Sequence, residues 1–317
     1  MYIREVKEEA LGVYRFSQPI GIRIVHFYAI KEADGWTLID CGLSNSVASW
    51  IADGELKGKI NRLIITHADA DHLGSGAWLK ENYPSIEICC HANDKRYSED
   101  HRLLVKNRYD VARPKFGFGY SQEVLDILLD VCGEDFEVDR TLEDQETILI
   151  DGDEWQIELL PGHSPGHIGI SRKKDGIYIL GDAFLSDGPP SIDGKPSMPP
   201  THENIVLYLN SIKKARSFNV NKCFTGHWPL LGKEEFIAFL DKSEEVVFRD
   251  LKIVTSILEK GERSFEEILT ELCEQVSTWD ATENSHYLYA VNGYIKYLEA
   301  TKKIVVTPNQ KIKLKQE

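Results

Sequence analysis

The sequence predicts an α/β layered domain followed by a small, mainly helical C-terminal unit. Three observations predict it. Short apolar runs bounded by turn residues alternate with segments of helical spacing through most of the chain. Several of those runs end abruptly in His or Asp. From about Glu244 the pattern changes to three helix-like segments and a terminal hairpin.

The elements follow in order. Ile22 to Ile30 (IRIVHFYAI) reads as a strand, Asp34-Gly35 as a hairpin signal, and Trp36 to Ile39 as the next strand. Asp40-Cys41-Gly42 ends that strand, and Ser44 to Ala52 has helical character. Arg62 to Ile65 is a buried strand that runs into Thr66-His67. Gly76 to Asn82 reads as a helix stopped by Pro84. Ile86 to Cys90 is strand-like, so the adjacent Cys89 and Cys90 face opposite sides. Residues 97–140 are polar and break the alternation; an inserted loop and a helix over Gln122 to Val131 are expected there, as a lid or substrate wall. Strands resume at Glu146 to Ile150, Trp155 to Leu160 and Gly176 to Leu180. A proline-rich loop over Asp187 to Pro200 leads to a helix over Ile205 to Ser217 and a short strand over Lys222 to Thr225. In the C-terminal unit, Glu244 to Lys260 reads as a helix. Ser264 and Glu267 form a capping-box signal for a second helix. His286 to Ala300 is the third helix, and Lys303 to Val306 with Lys311 to Leu314 reads as a hairpin. The expected division is 1–243 and a winged-helix-like 244–317.

Composition narrows the function classes. Of the 317 residues, 42 % are apolar and 28 % charged, which is globular and excludes disorder. Lys+Arg number 37 against 51 Asp+Glu, a net charge of −14, so the surface repels phosphate backbones and anionic lipid. Nucleic acid and membrane are therefore unexpected partners, and a small-molecule substrate is expected; a homodimer is compatible with the sequence. No run approaches the ~20 apolar residues of a membrane span. Met1 to Ala10 (MYIREVKEEA) lacks the apolar stretch of a signal peptide. Six cysteines are weak evidence for bridges in a chain this long, so reduced thiols and a cytoplasmic location are expected, and the lack of a CxxC pair makes cysteine-type structural zinc unexpected. No GxSxG, P-loop or GxGxxG occurs, which leaves serine-hydrolase and nucleotide-cofactor chemistry without support.

The chemistry concentrates at Thr66 to Gly76 (THADADHLGSG). An apolar strand runs into four metal-ligand types within six residues, His67, Asp69, Asp71 and His72. Imidazole and carboxylate together suit zinc, iron or manganese. The same strand-to-ligand pattern recurs at LLPGHSPGH (His163), IYILGD (Asp182) and CFTGH (His227). Open α/β sheets bind ligands beyond their strand ends, so these residues are expected to converge.

This ordered set resembles the metallo-β-lactamase-fold superfamily of metal-dependent hydrolases, whose motif is H-x-H-x-D-H followed downstream by His, Asp and His. The likeness covers roughly residues 10–235. The resemblance implies a four-layer αβ/βα sandwich with the site at one edge and two divalent metals, zinc foremost. His67, Asp69 and His163 would hold the first ion, Asp71, His72 and His227 the second, and Asp182 would bridge them. Asp69 stands where the family has His: direct ligation would tilt the first position toward iron or manganese and lower the effective metal charge, and the alternatives are that it binds through a water or leaves that position weak. The implied reaction is attack by a metal-bound hydroxide on a small ester, thioester or lactone, with Asp71 also orienting the water proton. The tail resembles the winged-helix extension of the β-lactamase-like protein 2 subgroup. That tail invites a nuclease reading, but residues 249–317 carry ten basic against eleven acidic side chains. A degenerate enzyme with a regulatory or dimer-forming tail is the third reading.

Other residues carry weaker signals. Asp40, at a strand end, is expected to hold a ligand from behind. His167 is expected to be structural or to support the ligands, and His91 to be a strand-end residue. His202 lies near the expected site mouth. Phe116, Phe118 and Tyr120 form an aromatic stretch suited to a lid or to packing on the core. Nothing is assigned to His26, His101 or His286.

Overall fold

The computed structural model describes residues 4–315, in two large sheets packed face to face with helices outside. The first sheet holds β1 (Glu5–Ala10), β2 (Val13–Ile20), β3 (Arg23–Glu32), β4 (Gly35–Ile39), β5 (Lys59–Ile64), β6 (Glu87–His91) and β7 (Arg140–Leu142), in that spatial order. Strands β1 to β4 form an antiparallel meander, and β4 to β7 run parallel. The second sheet holds β8 (Thr147–Ile150), β9 (Asp153–Leu159), β10 (Ile168–Arg172), β11 (Ile177–Ile179) and β12 (Lys222–Phe224). Its first four strands are antiparallel, and β12 joins β11 in parallel.

Alternation along the strands builds the layers. Tyr28, Ile30, Ile39, Ile64 and Cys89 meet Trp155, Ile157, Ile170, Ile177 and Ile179 in the core between the sheets. Their neighbours Phe27, Ala29, Leu38, Leu63, Ile88, Cys90 and Tyr178 face outward into a second core under the helices. Cys89 and Cys90 thus point to opposite faces, as side-chain period 2 requires. All six cysteines are free and buried.

The helices are α1 (Ser46–Ala52), α2 (Ala70–Leu73), α3 (Gly76–Asn82), α4 (Ala92–Glu99), α5 (His101–Leu104), α6 (Arg113–Phe116), α7 (Gln122–Cys132), α8 (Ile205–Ala215), α9 (Lys233–Glu259), α10 (Phe265–Val276) and α11 (Leu288–Ala300). A π-helical turn spans Val105–Tyr109 and a 3-10 turn Ala281–Tyr287. The C-terminal hairpin is β13 (Ile304–Val306) with β14 (Ile312–Leu314).

Segment 97–140 is more helical than its polarity suggests: α5, the π-helical turn, α6 and α7 occupy most of it. Its aromatic residues pack rather than cover. Phe116 and Phe118 lie 5.0 and 5.4 Å from Phe265 of α10, and Tyr120 bonds His286 at 2.6 Å. Helix α9 begins at Lys233 and runs unbroken through the sequence position 243/244. Ser264 and Glu267 do form a reciprocal capping box at α10. Further bonds tie the tail to the sandwich, from Arg23 to Glu283 at 3.0 Å and from His202 to Tyr294 at 2.9 Å. Among the described residues no helix is long and apolar enough to cross a membrane.

Candidate metal centre

Each ligand candidate follows a strand end, and both sheets deliver theirs to the same edge. Beyond β4 comes Asp40; beyond β5 come His67 and α2 with Asp71 and His72; beyond β9, His163 and His167; beyond β11, Asp182; beyond β12, His227. Two groups result. His67, His163 and Asp182 lie with ligand atoms within 4.8 Å of one another, and so do Asp71, His72 and His227. Asp182 also reaches the second group, with Oδ2 3.1 Å from His227 Nε2 and 3.7 Å from His72 Nε2. Close approach demands a glycine before His227: a Cβ on Gly226 would lie 2.1 Å from Asp182 Oδ1.

The imidazoles are oriented from behind. His72 Nδ1 donates to Asp40 Oδ2 at 2.8 Å, and His227 Nδ1 to the Ile24 carbonyl at 2.9 Å. His163 Nδ1 lies 3.2 Å from the Thr201 carbonyl. Thr66 Oγ1 donates to Asp40 Oδ2 at 2.8 Å and so accepts from His67 Nδ1 at 2.9 Å. With every Nδ1 so committed, the four Nε2 atoms turn inward. Among the described residues, the Nε2 atoms of His67 and His72 and Oδ1 of Asp182 are buried without a hydrogen-bond partner. Buried polar atoms are normally satisfied. These donors therefore fit a pair of divalent ions, and the Nδ1 bonds are the outer contacts that fix imidazole ligands. Asp40 thus steers one histidine of each group, as expected of it. It adopts φ 62°, a left-handed conformation held by the 2.7 Å bond from the Thr66 N–H to its Oδ1.

The two groups differ electrostatically. Burial, with the neighbouring imidazoles and Arg108, pushes His67 well below its ordinary value; burial and Arg108 bring His163 down to about 4. Burial also opposes a charge on His72, but Asp71, Asp40 and Asp182 outweigh it and push the group up to about 10. His227 is likewise raised against burial by Asp182 and Asp71. Burial would raise Asp182, yet His227 and His72 hold it well below the usual carboxylate range.

Asp69 lies apart from both groups of three but touches the first. Its Oδ2 is 2.8 Å from His163 Nε2 and 3.2 Å from His67 Nε2, while Oδ1 is paired with Arg108. His167 accepts from the Asp182 N–H at 3.1 Å and stacks on His67, supporting both. His91 accepts from the Asn93 N–H at the start of α4, and His202 stacks on Tyr208 and bonds Tyr294. His26 meets Ser17 and His101 the Gly133 carbonyl, both structural contacts.

A cavity of about 150 Å³ opens beside the ligands. Leu43, Tyr109, Leu128, Val131, Met198 and Tyr289 supply most of its apolar wall, with Arg23 and His286 among its polar residues. The C-terminal unit thus builds part of the site. A larger groove, 560 Å³, runs past Trp78, Arg102 and Asp130 and includes none of the ligand candidates.

Sequence reasoning missed several of these residues. Arg108, Tyr289 and Thr201 sit outside any motif and reach the site only through folding. Asp94 is another, fully buried on α4: it accepts from the Ala68 N–H at 3.1 Å, Ser164 Oγ at 2.6 Å and the Gly166 N–H at 2.7 Å, lacing the two His-bearing loops together.

Residues 20–227 match the family model of the metallo-beta-lactamase superfamily. The chain is 24 % identical over 190 residues to the probable metallo-hydrolase YflN of Bacillus subtilis, covering 56 % of this chain and 66 % of that one. It is 29 % identical over 135 residues to the hydroxyacylglutathione hydrolase GloC of Haemophilus influenzae, covering 42 % and 54 %. The chain thus spans somewhat under two thirds of the length of the first of these relatives and about half of the second. In fold it resembles a metallo-beta-lactamase family protein of Thermus thermophilus, with a TM-score of 0.76 at 16 % identity, over 97 % of this chain and 100 % of the other.

Proposed function

The chain belongs to the metallo-β-lactamase superfamily, and from that premise we propose that it is a metal-dependent hydrolase of a small ester, thioester or lactone. The observation that carries the reading is the convergence of four Nε2 atoms on Asp182 beside a small apolar cavity. His67, His163, Asp71, His72, His227 and Asp182 would hold two divalent ions there, which would supply a hydrolytic nucleophile at neutral pH and polarise the scissile carbonyl.

The chain's own residues do the rest. His67 and His163 hold one position, Asp71, His72 and His227 the other, and Asp182 faces both. Asp71 lines the cavity, so its carboxylate is placed to orient the proton of the attacking water as well as to ligate. Leu128, Val131, Met198 and Tyr289 seat the acyl group and exclude bulk water. The cavity's 150 Å³ favours a compact acyl chain or ring over a polymer. The name of one relative, a hydroxyacylglutathione hydrolase, points the same way. The net charge of −14 disfavours a polyanionic substrate, and a cytoplasmic location accords with six unpaired cysteines.

The test is a hydrolysis screen with zinc, manganese and iron(II) supplied in turn. Thioesters, lactones and short-chain aryl esters form one panel; single-stranded RNA and a phosphodiester form the other. Metal-dependent turnover confined to the first panel is expected. Turnover confined to the second would replace this reading with a nuclease, and none on either, with no bound metal, would point to a degenerate enzyme.

A further inference from the structure

We propose that Asp69 and Arg108 work as one unit that stands in for an imidazole at the first metal position. The guanidinium holds Asp69 Oδ1 and cancels its charge, and Oδ2 is thereby presented to the ion shared with His67 and His163. The inference rests on the metal-site reading above.

Arg108 comes from the π-helical turn Val105–Tyr109, a geometry that recurs at functional sites. It is 2 % exposed, and a guanidinium cannot shed its charge when buried. Its partners all belong to the ligand loops. Nη1 donates to Asp69 Oδ1 and, at 2.9 Å, to the Ala68 carbonyl; Nη2 donates to the His163 carbonyl at 3.3 Å. The next acid, Glu203, is 3.9 Å from Nε and shared with Lys296 at 3.8 Å. Asp69 is therefore the principal counter-charge of Arg108.

The free oxygen of Asp69 is placed as a ligand would be. Donors about 2.0–2.1 Å from a tetrahedral zinc ion lie roughly 3.3 Å from one another. Oδ2 is 3.2 Å from His67 Nε2 and 2.8 Å from His163 Nε2. His163 Nδ1 lies 3.2 Å from the Thr201 carbonyl, so Nε2 is the ring nitrogen that faces that carboxylate. Oδ2 thus lies at ligand-to-ligand spacing from both Nε2 atoms, and Arg108 Nη2 is 3.4 Å from His163 Nε2.

Charge completes the argument. Replacing a neutral imidazole by carboxylate adds one negative charge to a site that already holds Asp71, Asp182 and Asp40. Arg108 returns the sum to that of a three-histidine position. Asp69 is then harmless to the Lewis acidity of the ion, which sequence alone could not show because Arg108 lies 39 residues away.

The test is zinc stoichiometry by elemental mass spectrometry, with affinity by chelator competition, on the full chain. Wild type, Asp69→His, Arg108→Met and the double variant are compared. Two ions per chain are expected in wild type. Asp69→His alone strands a buried cation beside three histidines and is expected to weaken the first ion by 100-fold or more. The double variant is expected to recover two ions with affinity within about tenfold of wild type. Should Asp69→His fail to fold, recovery of fold and of both ions in the double variant carries the same expectation. Asp69→His binding two ions as tightly as wild type, or a double variant no better than Asp69→His, overturns the proposal. One ion in wild type rising to two in Arg108→Met means that the guanidinium excludes the ion, which also overturns it while leaving the second metal position standing. No zinc in any variant overturns the metal reading itself.

Discussion

Asp40→Asn isolates the contact that steers both metal positions. Asp40 is 2 % exposed and accepts three hydrogen bonds: Thr66 N–H at 2.7 Å, Thr66 Oγ1 at 2.8 Å and His72 Nδ1 at 2.8 Å. Its φ of 62° is one that Asn tolerates as well as Asp, so the backbone need not move. The amide retains only one acceptor oxygen. If that oxygen keeps the Thr66 N–H, the NH₂ group confronts His72 Nδ1 and Thr66 Oγ1, and neither donation is accepted. His72 escapes by moving its proton to Nε2, the atom that should face the ion. If the amide flips instead, the Thr66 N–H is left buried and unpaired. A hydrogen bond to a charged group is worth about 1.5–3 kcal/mol, and an orphaned buried donor costs a similar amount. That converts to a loss of roughly 10- to 150-fold in zinc affinity, in line with the 10–100-fold typical of outer-contact changes. Competition against a fluorescent zinc chelator measures it, with circular dichroism to check the fold. An affinity within threefold of wild type would refute the steering role of Asp40.

Two pH effects follow from the same geometry. His72, pushed up to about 10, is protonated at neutral pH before an ion binds. Zinc affinity at the His72–His227 position is therefore expected to rise about tenfold per pH unit between 6 and 8, with at least one proton released; calorimetry in two buffers of different ionisation enthalpy reads the proton, and a pH-independent affinity would sink the idea. His202 is buried against Tyr208 and Tyr294 and depressed by burial to about 3. A histidine held neutral in the fold contributes stability that is complete above its ordinary value of 6.5 and is lost as pH falls toward 3. The cost at pH 5 is about 2 kcal/mol. His202→Asn is expected to flatten the urea-denaturation stability between pH 7 and 5 by that amount relative to wild type, and an unchanged slope would count against it.

Local signals were sufficient wherever one element carried the whole message. The strand over Trp36 to Ile39, the helix Gly76–Asn82 and the Ser264–Glu267 capping box appear where period and capping chemistry place them. The edge strand β1 escaped notice because Glu5–Ala10 is mostly charged and exposed, and its pairing depends on its neighbour β2. The helices of segment 97–140 were harder to read because a polar residue such as Arg108 is buried on contacts distant in sequence.

Residue type and strand ends single out His67, Asp71, His72, His163, Asp182 and His227 as candidates in the chain alone, and the fold brings them into two close groups, with Asp40 bonded to His72 behind them. Tertiary structure decided what surrounds them. The pairing of Asp69 with Arg108, the lacing of two loops by Asp94 and the wall contributed by Tyr289 join residues tens to more than a hundred positions apart. No short-range pattern encodes such contacts, because charge compensation and shape are properties of the packed interior. The chemistry is therefore written in the motifs, and its electrostatic tuning and substrate fit are set by the fold.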